Sequence, residues 1–256
     1  VGTTYQSHEW EGLWASRLNF PLISDEEWLH VLDAGKSNQQ NTNSISKNAM
    51  ISYLGRANYI YDDKYYFTAT FRRDGTSRLS KENRWGNFPS ISAAWRISKE
   101  KFFKSSWIDD LKIRGNWGRL GNSSIGDWDY LGTINQSLVT IIGGVPVAGA
   151  AQVKLVNSNF VWETKETMNF GLDAAFLNQR LNVSAEYYNR KTTDMLLGYP
   201  KATSSGFSEY NANIGSMRNT GFEFSLGGSL IKTTDFIWNL TWMGSTVTNK
   251  VLKLTG

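Results

Sequence analysis

Gly126-Asp127-Trp128-Asp129-Tyr130 interleaves two carboxylates with two flat aromatic rings. Acceptor oxygens beside aromatic faces suit the recognition of a sugar, which has hydroxyls at its edge and an apolar ring face. Phe207, Glu209 and Tyr210 form a second set of the same kind. Both sets are candidate ligand contacts, and both also read as aromatics packing a loop. Covalent or acid–base chemistry is not indicated. The chain has only two histidines, His8 and His30, and no cysteine, so no thiolate or histidine-rich metal site can be built. No nucleophile–histidine pairing or phosphate loop appears, and Asp109-Asp110 sits at a strand entrance, where it reads as turn residues. The chain is therefore expected to bind or convey rather than to catalyse, without a cofactor or metal.

Composition narrows the setting. A net charge of +4 over 256 residues gives no broad basic face, so nucleic acid is not an expected partner. Aromatics make up 14% of the residues, with 11 Trp and 11 Tyr. Those two side chains favour places that are apolar on one side and wet on the other, such as membrane interfaces and sugar-binding faces. No run of apolar residues is long enough for a membrane helix, and no leader peptide opens the chain. The mean hydropathy of −0.40 is compatible with a membrane barrel whose polar lumen and loops offset its apolar belt.

The elements that must position these residues repeat with a period of two. Ile51, Tyr53, Gly55, Ala57, Tyr59 and Tyr61 alternate with Ser52, Arg56 and Asn58. The same alternation recurs around Phe67, Ile91, Ile113, Phe170, Val183, Phe224 and Trp238, with charges confined to the opposite face. A soluble sandwich alternates in this way too, so the links between strands carry more weight. They are short at 62–64 and 177–180 and long at 74–87, 118–166 and 191–219, alternating along the chain. Outer-membrane barrels have short turns at one end and long loops at the other. A partial strand is read at Val1–Gln6, and residues 7–49 after it show no clear strand, only a short helix opening at Ser24-Asp25-Glu26-Glu27 and stopping at Gly35. Eight or nine strands are expected in all. Trp85, Trp95 and Trp117 read as interfacial anchors or lipid-facing ring packers rather than ligand stackers. Arg56, Asn58, Arg72, Lys112, Arg114, Glu186 and Glu223 are expected to face a lumen, the charged ones neutralising one another in ladders.

Several stretches resemble the SusC/RagA-type TonB-dependent transporters of Bacteroidetes. They are Arg73-Asp74-Gly75-Thr76-Ser77-Arg78 (with Leu79 where the family usually has Phe), Arg84-Trp85-Gly86-Asn87-Phe88-Pro89-Ser90, Asp110-Leu111-Lys112-Ile113-Arg114, Trp162-Glu163 through Gly171-Leu172-Asp173, and Asn213-Ile214-Gly215. The resemblance runs from about Ile51 to the C-terminus. It implies an all-β, antiparallel outer-membrane barrel of 22 strands, of which residues 1–256 form part of one barrel domain. The plug domain and the C-terminal strands are expected to lie outside this chain. It further implies TonB-dependent uptake of glycan or peptide fragments, with a SusD-like surface lipoprotein as partner. TonB-ExbB-ExbD is expected to act through regions outside the chain, with lipid and lipopolysaccharide around the barrel. A soluble Trp-rich carbohydrate-binding module and a passive porin are the alternative readings.

Overall fold

The computed structural model describes residues 1–19, 32, 35, 37–132, 134–152, 155–207 and 209–254. Nine long strands form one antiparallel sheet. In chain order they are β1 (Gly2–Leu18), β2 (Ser37–Tyr61), β3 (Tyr65–Thr76), β4 (Trp85–Arg96), β5 (Ile108–Asn122), β8 (Glu163–Phe176), β9 (Leu181–Thr193), β12 (Ser216–Lys232) and β13 (Ile237–Lys253). Two hairpins stand outside that sheet: β6 (Ile134–Ile142) with β7 (Val145–Gln152), and β10 (Leu196–Pro200) with β11 (Glu209–Asn213). Each long strand pairs with the next long strand in sequence, so the wall is an up-and-down meander.

The alternation of links is a property of this meander. Turns at 62–64, 97–107, 177–180 and 233–236 occupy one end, and the connections β1–β2, β3–β4, β5–β8 and β9–β12 leave from the other. Local chemistry sets the tight ends. Asp62 and Asp63 adopt φ of 54° and 51°, which Asp tolerates better than most residues, and the Lys64 amide closes the turn on the Tyr61 carbonyl at 3.0 Å.

Part of the N-terminal reading needs correction. Residues 7–18 and 37–49 are strand, not loop, and pair continuously from Gly2↔Leu54 to Ser16↔Gln40. Their sequence lacks contrast because residues 37–49 continue beyond the part of β2 that pairs with β3, leaving both faces of this hairpin wet. The links at 118–166 and 191–219 are likewise shorter than expected, because strands extend into them and each holds a hairpin. The helix expected from Ser24 falls mostly on residues 20–31, outside the described residues. Asp109 and Asp110 lie within β5, where Asp109 accepts the Gln179 amide and Asp110 accepts Arg96.

The two faces of the sheet differ in kind. Tyr59, Phe67, Ile91, Ile113, Phe170, Val183 and Phe224 fall on one face by register. Most of these side chains are exposed, with Phe170 at 58%. No second sheet covers this face among the described residues. A soluble sandwich would bury such residues between sheets. A membrane wall leaves them for lipid.

Aromatic rings mark both edges of the apolar band. At the long-loop edge Tyr53 stacks on Trp85 at 6.0 Å, with the Arg73 guanidinium 5.1 Å from the Trp85 ring centre. Near the short-turn edge Tyr61, Tyr65 and Trp95 stack in series at 6.3 and 6.4 Å. There the Tyr65 hydroxyl and the Trp95 indole N–H both donate to Glu100. Apolar ring bodies with hydrogen-bonded polar tips suit a membrane–water boundary. Trp85 and Trp95 are ten positions apart on one strand. Ten residues span about 33 Å, which a tilt of about 40° reduces to about 25 Å, the height of an outer-membrane apolar band.

Candidate functional site

Arg56, Asn58, Arg72, Lys112, Arg114, Glu186 and Glu223 share the opposite, polar face. Strand alternation puts them there, and the registry brings opposite charges level. Arg114 donates to Asp173 at 3.2 Å and to Glu186, while Lys112 lies 3.3 Å from Asp173. One step toward the short turns, Arg96 joins Asp110 at 2.8 Å and Asp63 at 3.1 Å. The Arg72 Nε–H is shared between the two Asp74 carboxylate oxygens, and its Nη2 donates to the buried Ser52 hydroxyl at 3.0 Å. Asp173, Arg96 and Asp110 thus belong to the ladder although they were not singled out as ladder members. Arg56 donates to Asn58. Glu223 lies opposite Glu186 in register and lines a hollow with it and Arg114.

At the long-loop end, four of the sequence motifs converge on one small core. Leu79, Phe88, Phe160 and Trp162 are buried together, with Met50, Ile125, Tyr130 and Leu196 packed against them. The Trp162 indole donates to the Arg84 carbonyl at 3.2 Å. The Asn213 amide bridges the carbonyls of Val161 and Asp194, and the Glu163 carboxylate accepts the Leu196 amide. The motif residues therefore fasten the long links to the rim of the sheet. Phe160 is the largest of the fully buried side chains in this core, and no alternation or spacing marks it.

Asp127 is an anchor within this crown. Its carboxylate accepts bonds from Ser46 and Asn48 on β2 and pairs with Arg78 at 2.8 Å, and its side chain is 7% exposed. Burial raises its pKa, but the bonds from Ser46, Arg78 and Asn48 and the charge of Arg78 outweigh that, holding it below the usual carboxylate range. A lowered folded-state pKa gives stability that is present above the ordinary value and lost as pH falls through the folded one. The loop should therefore stay docked at neutral and mildly acidic pH and release only below about pH 4. Asp127→Ala should weaken the docking by about 2 kcal/mol, or about 30-fold in local opening. Amide exchange of residues 126–132 in the full-length protein measures both effects.

The other candidate contacts divide by exposure. Trp128 is 47% exposed and has φ of 69° in a turn closed by Asp129 N to Gly126 O and Leu131 N to Trp128 O. Asp129 accepts the Gly126 amide at 3.0 Å, and Tyr130 packs on the crown core. Tyr210 faces Tyr199 across the β10–β11 hairpin, with the Lys201 ammonium 5.4 and 5.5 Å from the two ring centres. Phe207 is half-buried in the hairpin loop, while the Glu209 side chain lies outside the described residues. The two sets sit at the same end of the sheet but on separate links.

Comparison with known proteins places this geometry. Residues 4–254 match the family model described as TonB dependent receptor-like, beta-barrel. TonB-dependent receptor P3 of Formosa agariphila is 36% identical over 254 residues, which is 99% of this chain and 25% of that protein. TonB-dependent receptor SusC of Bacteroides thetaiotaomicron is 39% identical over 223 residues, 85% of this chain and 22% of that protein. The chain thus spans about a quarter of the length of these relatives. The RagAB peptide importer in its closed-closed state is similar over 99% of this chain and 28% of the matched chain, with a TM-score of 0.84 and 27% identity.

Proposed function

Since the chain belongs to the TonB-dependent receptor-like β-barrel family of the outer membrane, we propose that it supplies nine consecutive wall strands to a TonB-driven importer of glycan or peptide fragments. The observation that carries this reading is the division of one sheet into an apolar face bounded by aromatic rings and a polar face carrying an ion ladder. In this reading the apolar face meets lipid and lipopolysaccharide. Arg56, Asn58, Arg72, Lys112, Arg114, Glu186 and Glu223 line the lumen, and β1 and β13 pair with further strands of the same barrel domain. The plug and the segment that TonB pulls lie in other parts of the protein. The crown of long links faces the cell exterior, and Trp128, Asp129, Phe207 and Tyr210, with Glu209 beside Tyr210 in sequence, are the proposed contacts for arriving ligand.

A SusD-like surface lipoprotein is the proposed partner at that crown. Purification of the full-length protein from outer membranes in a mild detergent should recover such a lipoprotein with it in near-equal amount. Recovery of the barrel alone in several mild detergents would contradict the partnership.

A further inference from the structure

The β1–β2 hairpin continues past the upper aromatic edge, and its two faces differ. By unbroken register, Trp10, Gly12 and Trp14 on β1 share a face with Thr42, Ser44, Ser46 and Asn48 on β2. This continues the polar face of the wall, and Asp127 docks on it through Ser46 and Asn48. The hairpin's charged pair, Glu9 with Lys47 at 3.0 Å, lies on the other face. Apart from His8, the strand residues on the face bearing the tryptophans are neutral along this stretch, and the charges docked on it from outside the hairpin are the Asp127–Arg78 pair at Ser46 and Asn48.

The tryptophans are arranged for use. Trp10 is 52% exposed and Trp14 53%. A Cβ at Gly12 would collide with the far edge of the Trp10 ring, so that ring lies along the strand over the one residue that leaves room for it. About half of Trp10 is left exposed by the described residues. Trp14 follows four residues on, about 13 Å further along the same face. Asp127, the residue before Trp128, is tied to Ser46, the register partner of Trp10.

We propose that this face binds a neutral glycan chain, with Trp10 and Trp14 stacking on the apolar faces of separate pyranose rings. Ser44, opposite Gly12 between them, and Thr42, opposite Trp14, are both exposed and would bond the sugar hydroxyls. Apolar rings set among hydroxyl and amide groups match the chemistry of a sugar, which is apolar on its face and polar at its edge. A protein partner would instead favour a contiguous apolar centre, and an acidic glycan would need a cation to pair with, whereas Arg78, the cation docked at this face, is already engaged by Asp127. The proposal rests on the import reading and names the substrate class for it.

The test uses the full-length protein purified with whatever partner accompanies it. Maltohexaose, cellohexaose, xylohexaose and laminarihexaose are titrated by calorimetry, with a neutral octapeptide as the competing class. At least one hexasaccharide should bind. Trp10→Ala or Trp14→Ala should each weaken that binding about tenfold. Gly12→Ala, which adds one methyl group beneath the Trp10 ring, should weaken it several-fold, while Lys47→Ala on the other face leaves it unchanged. Retained trypsin resistance of residues 1–60 shows that each variant hairpin is folded. Failure of all four hexasaccharides to bind overturns the proposal. So does wild-type affinity in Trp10→Ala and Gly12→Ala, or tighter binding of the octapeptide with the same dependence on Trp10. Growth of a deletion strain on the bound glycan tests import separately. Unimpaired growth removes the import reading and leaves the site, whereas impaired growth with unaltered affinity in the variants does the reverse.

Discussion

Ile91→Arg should destabilise the bilayer-inserted protein by about 2–4 kcal/mol, the cost of a cation near the membrane midplane on the lipid face of a barrel. Ile91 is 49% exposed on the apolar face, on the same strand as the Trp85 and Trp95 that mark the two edges of the band. Its neighbour Ser92 provides a depth-matched control on the polar face, between Thr68 and Asn116. An arginine there can remain hydrated, so Ser92→Arg should cost much less. Asn169 on the same face is a poorer control, because its side-chain Oδ1 is buried without a hydrogen-bond partner. The comparison is made by urea unfolding of the full-length protein in phospholipid vesicles. Equal costs at the two positions would mean that the faces do not differ in what they meet.

Phe160→Ala should produce the largest local effect, about 3–5 kcal/mol for removing a large aromatic side chain from a packed site. Phe160 is 1% exposed and sits among Leu79, Phe88 and Trp162. These residues come from the links at 77–84 and 153–162 and from β4, so the vacancy loosens the crown and not the hydrogen-bonded wall. Amide exchange should therefore rise by at least about 100-fold in residues 155–163 and 194–197, with strands β8 and β9 protected as before. A uniform loss of protection along β8 would show that the crown and the wall unfold as one unit. The same experiment on Phe88→Ala should loosen the 77–84 link as well, since Phe88 packs edge-on against Trp162 at 5.3 Å.

The wall was legible because lipid on one side and water on the other impose strict alternation. Wherever both contacts hold, as along Tyr65–Thr76 or Leu181–Thr193, the period of two is plain in the residues. Where the hairpin of β1 and β2 leaves the membrane, Ser, Asn, Gln and Thr occupy both faces and the signal fades, although the pairing continues. The β6–β7 hairpin carried a readable mark that the length of its link obscured. Gly143-Gly144 separates two apolar runs, and both glycines take positive φ, at 60° and 82°, as a two-residue hairpin turn requires.

The candidate site was less legible because its partners are distant in sequence. Asp127 reads as a free acceptor beside Trp128, yet Ser46 is 81 residues away and Arg78 is 49, and together they occupy its carboxylate. No local pattern announces such bonds. The ladder was legible in membership but not in pairing. Alternation put Lys112, Arg114 and Glu186 on one face, while the register alone brought Asp173 between them. Trp10 and Trp14 escaped notice because the strand that aligns them was itself read as loop.

Spin labels provide the most direct test of the central claim, that one face of this sheet meets lipid and the other a water-filled lumen. Labels at Phe170 and Val183 probe the apolar face, and labels at Asn58 and Glu223 probe the polar one. Power saturation of the full-length protein in vesicles should find the first pair accessible to oxygen, which dissolves in lipid, and shielded from a water-soluble nickel chelate. The second pair should show the reverse. Free access of the chelate to Phe170 and Val183, or loss of oxygen access at both, would contradict a membrane-spanning wall.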